Sequence, residues 1–254
     1  MGDEPLTDPA ALRREHTPEV VAVRLSGGPR ESYARELVYG AVDGAITTFA
    51  VVAGARGASL AASVVVALGF ANLVADGFSM SIGNYLGVRT AEERRERVLA
   101  EEHEHIERVP DGEREEIRQI FRAKGFTGED LDRAVEVITA DRDRWAQTMM
   151  VEEHGFASVE AQPWKTAAAT FGAFCMAGVV PLLPFVVELV GGMTLGSPFA
   201  VSAMATGLAF LLIGAVRGRV TGGSSLRSAL QTLALGGTAA SLAFGVGLAL
   251  RTVV

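Results

Sequence analysis

Metal-binding side chains are concentrated in the middle of this chain. Residues 91–160 contain 20 of its 30 acidic residues and three of its four histidines. Carboxylates, imidazoles and thioethers are ligands of divalent metal ions. Several of these side chains lie three residues apart, a spacing that places them on one face of a helix. The predicted ligands are Glu102, His105, Glu113, Glu116, Met149, Met150 and Glu153. A solvated acidic helical domain would explain the composition equally well.

A second group of polar residues lies inside apolar segments. Asp43 is near the middle of one segment, and Asn72, Asp76, Met80 and Asn84 recur every four residues in the next. An acid at the centre of a membrane helix costs on the order of 2.5–3.5 kcal/mol, so its presence there indicates a function. We predict that these five residues line a path for cations. The alternative is that the polar side chains hydrogen-bond between helices and that the methionine packs.

The apolar segments themselves are long enough to cross a membrane. A hydrocarbon core of about 30 Å requires about 20 residues of helix. The predicted spans are Leu37–Ala55, Leu60–Val88, Thr166–Val190, Pro198–Val216 and Leu226–Leu250. The predicted fold class is an all-α membrane protein, with five transmembrane helices and a cytoplasmic three-helix metal-binding domain inserted between spans two and three. Its predicted domains are a mobile cytoplasmic tail (1–31), spans one and two (32–90), the metal-binding domain (91–160) and spans three to five (161–254).

Helix breakers set the boundaries inside and after the acidic segment. No proline lies between Leu60 and Val109, which predicts one helix that leaves the second span and continues into the segment. Pro110 should end it, and Asp111 should cap a second helix that runs to about Ala123. A third helix should begin at Thr127 and end near His154. Two further prolines, Pro181 and Pro184, should break the third span.

Arginines predict the orientation in the membrane. They precede span one and flank the loop between spans four and five, whereas the loop between spans three and four has no charge. The positive-inside rule then places the N-terminus and the acidic segment in the cytoplasm. The single cysteine, Cys175, excludes an intrachain disulfide and a cysteine-based zinc site, and we expect it to pack among apolar neighbours. His103 and His154 are expected to be solvated surface residues.

Four stretches together are similar to the vacuolar iron transporter family. They are Tyr39–Gly44, Asp76–Tyr85, Val109-Pro110 followed by Glu113 and Glu116, and Met149-Met150 with Glu153. The resemblance covers the chain from Glu36 onward. It implies a homodimer of five-span protomers with the ion path at the dimer interface, and Gly40-xxx-Gly44 and Gly83-xxx-Gly87 have the spacing of closely packed helices.

The resemblance also implies an activity. It indicates export of Fe²⁺, and of Mn²⁺ in many members, from the cytoplasm in exchange for protons. Asp43 and Met80 would line the path, and the predicted ligands other than His105 would form the cytoplasmic site. His105 departs from the family pattern, since plant members tend to carry glutamate there. Imidazole is softer than carboxylate and still suits iron or zinc, so the choice between iron and manganese stays open.

The expected role is therefore that of a transporter and not of an enzyme. The ion transported and bound would be Fe²⁺, Mn²⁺ or Zn²⁺, with no prosthetic group. The expected partners are a second copy of the chain, protons and the lipid bilayer. A pI near 5.2 argues against nucleic acid. A bacterial plasma membrane is the expected location. The alternatives are a membrane-anchored ferritin-like di-iron oxidase, in which a dimer supplies two Glu-x-x-His pairs, and a metal sensor.

Overall fold

Helices form all the regular structure that the computed structural model describes, which covers residues 9–26, 32–156, 162–191 and 196–252. A short 3₁₀ turn, Val180–Leu182, separates two of them. The α-helices are α1 (Pro9–Glu15), α2 (Pro18–Ser26), α3 (Ala34–Gly57), α4 (Ala62–Arg108), α5 (Pro110–Ala123), α6 (Gly128–Thr139), α7 (Arg142–Glu152), α8 (Pro163–Gly178), α9 (Leu183–Gly191), α10 (Pro198–Val220) and α11 (Ser225–Leu250).

Five helical segments are long and apolar enough to cross a membrane. They are α3, α4, the α8–α9 pair, α10 and α11. This confirms the five predicted spans, although most extend a few residues beyond their predicted ends. The break in the third span is confirmed as well, because Pro181 lies in the 3₁₀ turn and Pro184 in the first turn of α9. The prediction of one unbroken helix from the second span into the acidic segment is also confirmed, since α4 is 47 residues long.

Two predicted helix boundaries are wrong. Asp111 does not cap a helix, because α5 already begins at Pro110, whose fixed φ and missing N–H suit the first helical position. The single third helix is two helices, α6 and α7. Asp141 begins the second of them, since its carboxylate accepts a hydrogen bond from the Arg144 backbone N–H at 2.7 Å. Residues 9–26, predicted to be part of a mobile tail, contain α1 and α2. Their mobility stays a prediction.

The chain divides into two units, and the division falls within α4. One unit comprises residues 32–94 and 161–254. In it α3 packs against α8, α10 and α11 around a core that includes Val52, Phe174 and Leu182. A Cβ on Gly44 would lie 2.2 Å from the Phe174 carbonyl oxygen, so only glycine permits the observed approach of α3 to α8. The close helix packing that the Gly40-xxx-Gly44 spacing predicts is therefore found within one chain, between α3 and α8.

The other unit comprises residues 1–31 and 95–160. Its apolar core is formed by the end of α4 together with α5, α6 and α7. All four helices contribute buried residues to this core, and the two on α6 lie four positions apart, on one face of that helix. The buried residues are Ile106, Ile117, Leu131, Val135, Trp145, Ala146 and Met149. The predicted three-helix domain thus contains four helical segments, and its cytoplasmic location remains a prediction.

Candidate metal sites

One carboxylate–histidine cluster joins the end of α4 to the end of α7. Glu102 lies on α4, and Glu153 and His154 directly follow α7. One ligand atom from each of the three residues lies within 4.8 Å of the others. The His154 Nε2 atom is 2.8 Å from Glu102 Oε1 and 4.0 Å from Glu153 Oε2. These distances place three potential ligands around a space the size of one ion.

Glu102 is almost completely buried, with 4% of its surface exposed. Its Oε2 atom has no hydrogen-bond partner among the residues that the structure describes. A buried polar atom without a partner costs about 1–3 kcal/mol, and more when it is charged. A bound cation would offset this cost, which identifies Glu102 as the best candidate for a metal ligand in the cluster.

A second carboxylate–histidine pair contains Glu113 of α5. Glu113 is also 4% exposed, and its Oε2 atom likewise has no partner within the described ranges. The His105 Nδ1 atom lies 3.4 Å from Glu113 Oε1. The pKa of Glu113 is raised to about 7, mainly by burial and also by the negative charges of Glu116 and Glu102, whereas His105 acts to lower it. The negative charges of several neighbouring carboxylates favour the binding of a divalent cation.

Glu116 follows one helical turn after Glu113 and belongs to the same electrostatic group. Burial raises its pKa, and repulsion from Glu153 and Glu102 adds to the effect. The structure therefore brings together the predicted ligands Glu102, His105, Glu113, Glu116 and Glu153. The binding of a metal ion by these residues stays a prediction.

The two predicted sulfur ligands are buried. Met149 is fully buried in the apolar core, beside Trp145 and Ala146, and Met150 is 1% exposed. Core packing alone accounts for the burial of Met149. Their role as metal ligands stays a prediction.

His154 is exposed, as expected from the sequence. Its ring nevertheless contacts the buried Glu102, since Nε2 lies 2.8 Å from Oε1, and 29% of its side-chain surface is exposed. His103 is also only 29% exposed, with Nε2 3.9 Å from an oxygen of Asp143.

The predicted membrane path lies on α3 and α4. Asp43 and Asp76 are close enough to interact electrostatically. Asn72 Nδ2 donates to Thr47 Oγ1 at 3.5 Å, and Asn84 Nδ2 donates to Thr170 Oγ1 at 2.8 Å. Hydrogen bonding between helices, the alternative interpretation, thus accounts for the two asparagines. Among the described residues, no comparable hydrogen bond involves the side chain of either aspartate.

A cavity of about 310 Å³ lies beside this path. Met80 and Asn84 line it, together with Glu36, Tyr39 and residues at the ends of the neighbouring helices. The Glu36 Oε2 atom is buried and has no partner in the part of the chain that the structure describes. No sequence pattern singles out Glu36, because it precedes the apolar part of α3 and resembles an ordinary acid in the first turn of a helix.

The family assignment comes from comparison with known proteins. The profile of the VIT family matches residues 34–248, from the start of α3 almost to the end of α11. The chain belongs to the VIT family. Both groups of candidate residues lie inside the matched region.

Several curated proteins are similar to this VIT-family chain over most of its length. The vacuolar iron transporter of Toxoplasma gondii is 31% identical over 98% of this chain and 86% of its own length. Vacuolar iron transporter 2 of Oryza sativa subsp. japonica is 32% identical over 86% of this chain and 88% of its own length. Vacuolar iron transporter 1 of Arabidopsis thaliana is 29% identical over 83% of each chain.

Proposed function

We propose that this VIT-family protein exports Fe²⁺, and also Mn²⁺, from the cytoplasm across a membrane in exchange for protons. The names of its relatives support iron as the cargo. The observation that carries the proposal is the pair of aspartates, Asp43 on α3 and Asp76 on α4, within two helices that are apolar enough to span a membrane. Neither a structural helix bundle nor a soluble-type metal enzyme needs two acids at such positions.

Exchange follows from competition for the same carboxylates. Two neighbouring aspartates in an apolar setting bind a divalent cation or protons, because two bare negative charges there are costly. Met80 contributes a thioether to the same path, and a soft sulfur ligand favours transition metals over Ca²⁺ and Mg²⁺. A metal ion that arrives from the cytoplasm therefore displaces protons into the cytoplasm, and protons from the opposite side later displace the metal ion there.

A homodimer would cover an otherwise unfavourable surface on α4. Asp76 is exposed in the single chain, as are its apolar neighbours Val74, Phe78 and Ile82. Contact with lipid would leave the aspartate without a polar partner. No atom of the described residues would lie within 4 Å of a Cβ on Gly83 or Gly87, so a second copy could approach closely there. We therefore propose that the path lies at the interface of two copies.

We call the unit that comprises residues 1–31 and 95–160 the acidic unit. The orientation that we propose places it in the cytoplasm, where Glu102, Glu113, Glu116 and Glu153 would collect metal before it enters the path. Arg217 and Arg219 at the end of α10 support this orientation through the positive-inside rule. The identity of the membrane stays a prediction. A bacterial plasma membrane was expected, whereas the three relatives above come from eukaryotes and carry names that refer to the vacuole.

Uptake into proteoliposomes with an imposed pH gradient tests the proposal. Fe²⁺, Mn²⁺, Zn²⁺ and Ca²⁺ would be compared under reducing conditions. We expect uptake of Fe²⁺, weaker uptake of Mn²⁺, none of Ca²⁺, and a rate that rises with the proton gradient. Absence of uptake together with consumption of O₂ by the Fe²⁺-loaded protein would instead support the oxidase. Binding without uptake or oxidation would support the sensor.

A further inference from the structure

We propose that His154 is a metal ligand and that, with His105, it makes the acidic unit selective for metals that prefer nitrogen, such as Fe²⁺ and Zn²⁺, over Mn²⁺. The inference rests on the metal-binding role of this unit in the proposed function and names the class of ion that it takes. It adds to the carboxylates a residue that the sequence patterns did not indicate.

The position of His154 supports this role. Its Nε2 atom lies 2.8 Å from one oxygen of Glu102 and 4.0 Å from an oxygen of Glu153. The other oxygen of Glu102 has no partner within the described residues, although the side chain is about 95% buried. His154 is exposed and has water available as a partner, so a buried glutamate is not needed to satisfy it. A glutamate placed only to hold a histidine would not keep a second, unsatisfied oxygen out of water.

A second imidazole lies by the second buried glutamate. His105 Nδ1 is 3.4 Å from Glu113 Oε1, and Glu113 also has one buried oxygen without a partner in the described ranges. Glu102 and Glu113 interact electrostatically, so the two pairs share one region of the unit. Each buried carboxylate thus has one oxygen available and one imidazole beside it. This pattern describes a mixed oxygen–nitrogen site.

The ligand chemistry then sets the preference among metals. Carboxylate, carbonyl and water suit Mg²⁺, Ca²⁺ and Mn²⁺, whereas imidazole suits Fe²⁺, Zn²⁺ and Cu²⁺. Affinity for nitrogen-containing sites also rises from Mn²⁺ to Fe²⁺ and on towards Zn²⁺. Two imidazoles therefore raise the affinity for Fe²⁺ and Zn²⁺ much more than that for Mn²⁺.

The test uses the full-length protein in detergent, with Zn²⁺ as a redox-inert probe and Mn²⁺ as the oxygen-preferring comparison. Dissociation constants for both ions would be measured by competition with a fluorescent chelator. Zinc-edge X-ray absorption would count the bound imidazoles. The variants are His154→Gln, which removes the nitrogen, and His154→Glu, which exchanges it for oxygen. The matched control is His103→Gln, on α4 next to Glu102, since the His103 ring faces Asp143 and not Glu102.

We expect His154→Gln to weaken Zn²⁺ binding by at least about tenfold and Mn²⁺ binding by less than about threefold. The X-ray signal should lose imidazole, and the control should match the wild type. His154→Glu should retain Mn²⁺ binding and lose the preference for Zn²⁺. That change of preference requires a folded protein, so it separates a ligand from a residue that only supports the fold.

Two results would overturn the inference. The first is a ratio of Zn²⁺ to Mn²⁺ affinity that is the same in His154→Glu as in the wild type. The second is a wild-type protein that binds Zn²⁺ without imidazole or does not bind Zn²⁺ at all. Failure of the transport proposal would look different. Proteoliposomes would then show no uptake while the detergent-solubilised protein still bound Zn²⁺ through His154.

Discussion

Asp43 is a carboxylate within an apolar helix, and it is close enough to Asp76 for their charges to interact. Two acids at such positions indicate that a cation or a proton binds to the pair. We predict that Asp43→Ala abolishes metal uptake and leaves the protein folded, because in the proposed mechanism this carboxylate binds the cargo and does not support packing. The assay is Fe²⁺ uptake by proteoliposomes, with size-exclusion elution as the check on folding.

A matched control for Asp43 is Glu188→Ala, which removes an acid from α9 in another candidate span. Glu188 does not line the cavity beside Met80. It should keep at least half of the wild-type rate. Wild-type uptake by a folded Asp43→Ala protein would contradict the proposed path.

The raised pKa of Glu113 predicts how metal affinity depends on pH. With a pKa of about 7, the side chain is protonated below neutrality in the metal-free protein, so binding a metal must first release that proton. Affinity for Zn²⁺ should therefore increase as the pH rises from 6 and should level off above about 7. Calorimetry at several pH values, in buffers of different ionisation enthalpy, would show the released proton.

Glu113→Gln is the variant that checks this assignment. It should weaken binding at pH 8 and should flatten the part of the pH dependence that lies near neutrality. Glu115→Gln is the control, because Glu115 is paired with Arg118 and lies outside the buried group. A pH profile that is the same in wild type and Glu113→Gln would assign the released proton to another residue.

At the scale of single residues, the sequence predicted which types of side chain form the site better than it predicted which of them are in contact. Spacing along a helix identified Glu102, His105, Glu113 and Glu116, because positions three apart share a face whatever the tertiary fold. His154 and Glu36 were missed for a different reason. Their roles depend on residues far away in the chain or on a cavity between helices, and no local pattern encodes either.

At the scale of elements, the contact between α3 and α8 depends on the absence of side chains. A Cβ on Gly44 would lie 2.2 Å from the carbonyl oxygen of Phe174, which is backbone and cannot rotate away. We predict that Gly44→Ala destabilises the protein by about 1–3 kcal/mol through overpacking. Thermal unfolding in detergent measures the effect as a lower Tm.

Gly172→Ala is the control, since it is also a glycine within a helix but its Cβ would meet nothing within 4 Å. Its Tm should be unchanged or slightly higher, because alanine has the better helix propensity. Equal Tm values for wild type and Gly44→Ala would mean that α3 and α8 adjust easily, and the close approach would then be incidental.

Helix existence was predictable where a strong physical signal was present. Continuous apolar length predicted the five spans, and the prolines at 181 and 184 predicted the break after α8. The break between α6 and α7 was missed because it contains neither glycine nor proline. The residues there could also continue as a helix. Instead, Asp141 caps α7, and Trp145 and Met149 of α7 pack into the core.

At the scale of the whole molecule, charge is distributed very unevenly. Residues 91–160 carry a net charge of −9, whereas the rest of the chain carries +2. Such a field attracts cations and raises their local concentration without any conformational switch. The unbroken α4 also offers a mechanical connection, because it carries both Met80 and Glu102. We favour the electrostatic role, in which the acidic unit feeds the path and does not gate it.

Transport kinetics separate feeding from gating. The triple variant Glu102→Gln/Glu113→Gln/Glu116→Gln should raise the apparent KM for Fe²⁺ and leave the maximal rate nearly unchanged. A control that neutralises the same number of acids, Glu101→Gln/Glu129→Gln/Asp130→Asn, alters only exposed acids of the same unit. It should raise KM in the same direction and by a smaller factor, because it weakens the field but keeps the buried carboxylates.

Ionic strength provides the independent check on this prediction. Exposed charges are screened within about 8–10 Å at ordinary salt, so added salt should raise the KM of the wild type. The same salt should have less effect on either triple variant, since each has lost part of the field that salt screens. A gate would behave otherwise. If the acidic unit had to bind metal before the path could open, the first triple variant would lose maximal rate at saturating Fe²⁺, and no concentration of metal would restore it.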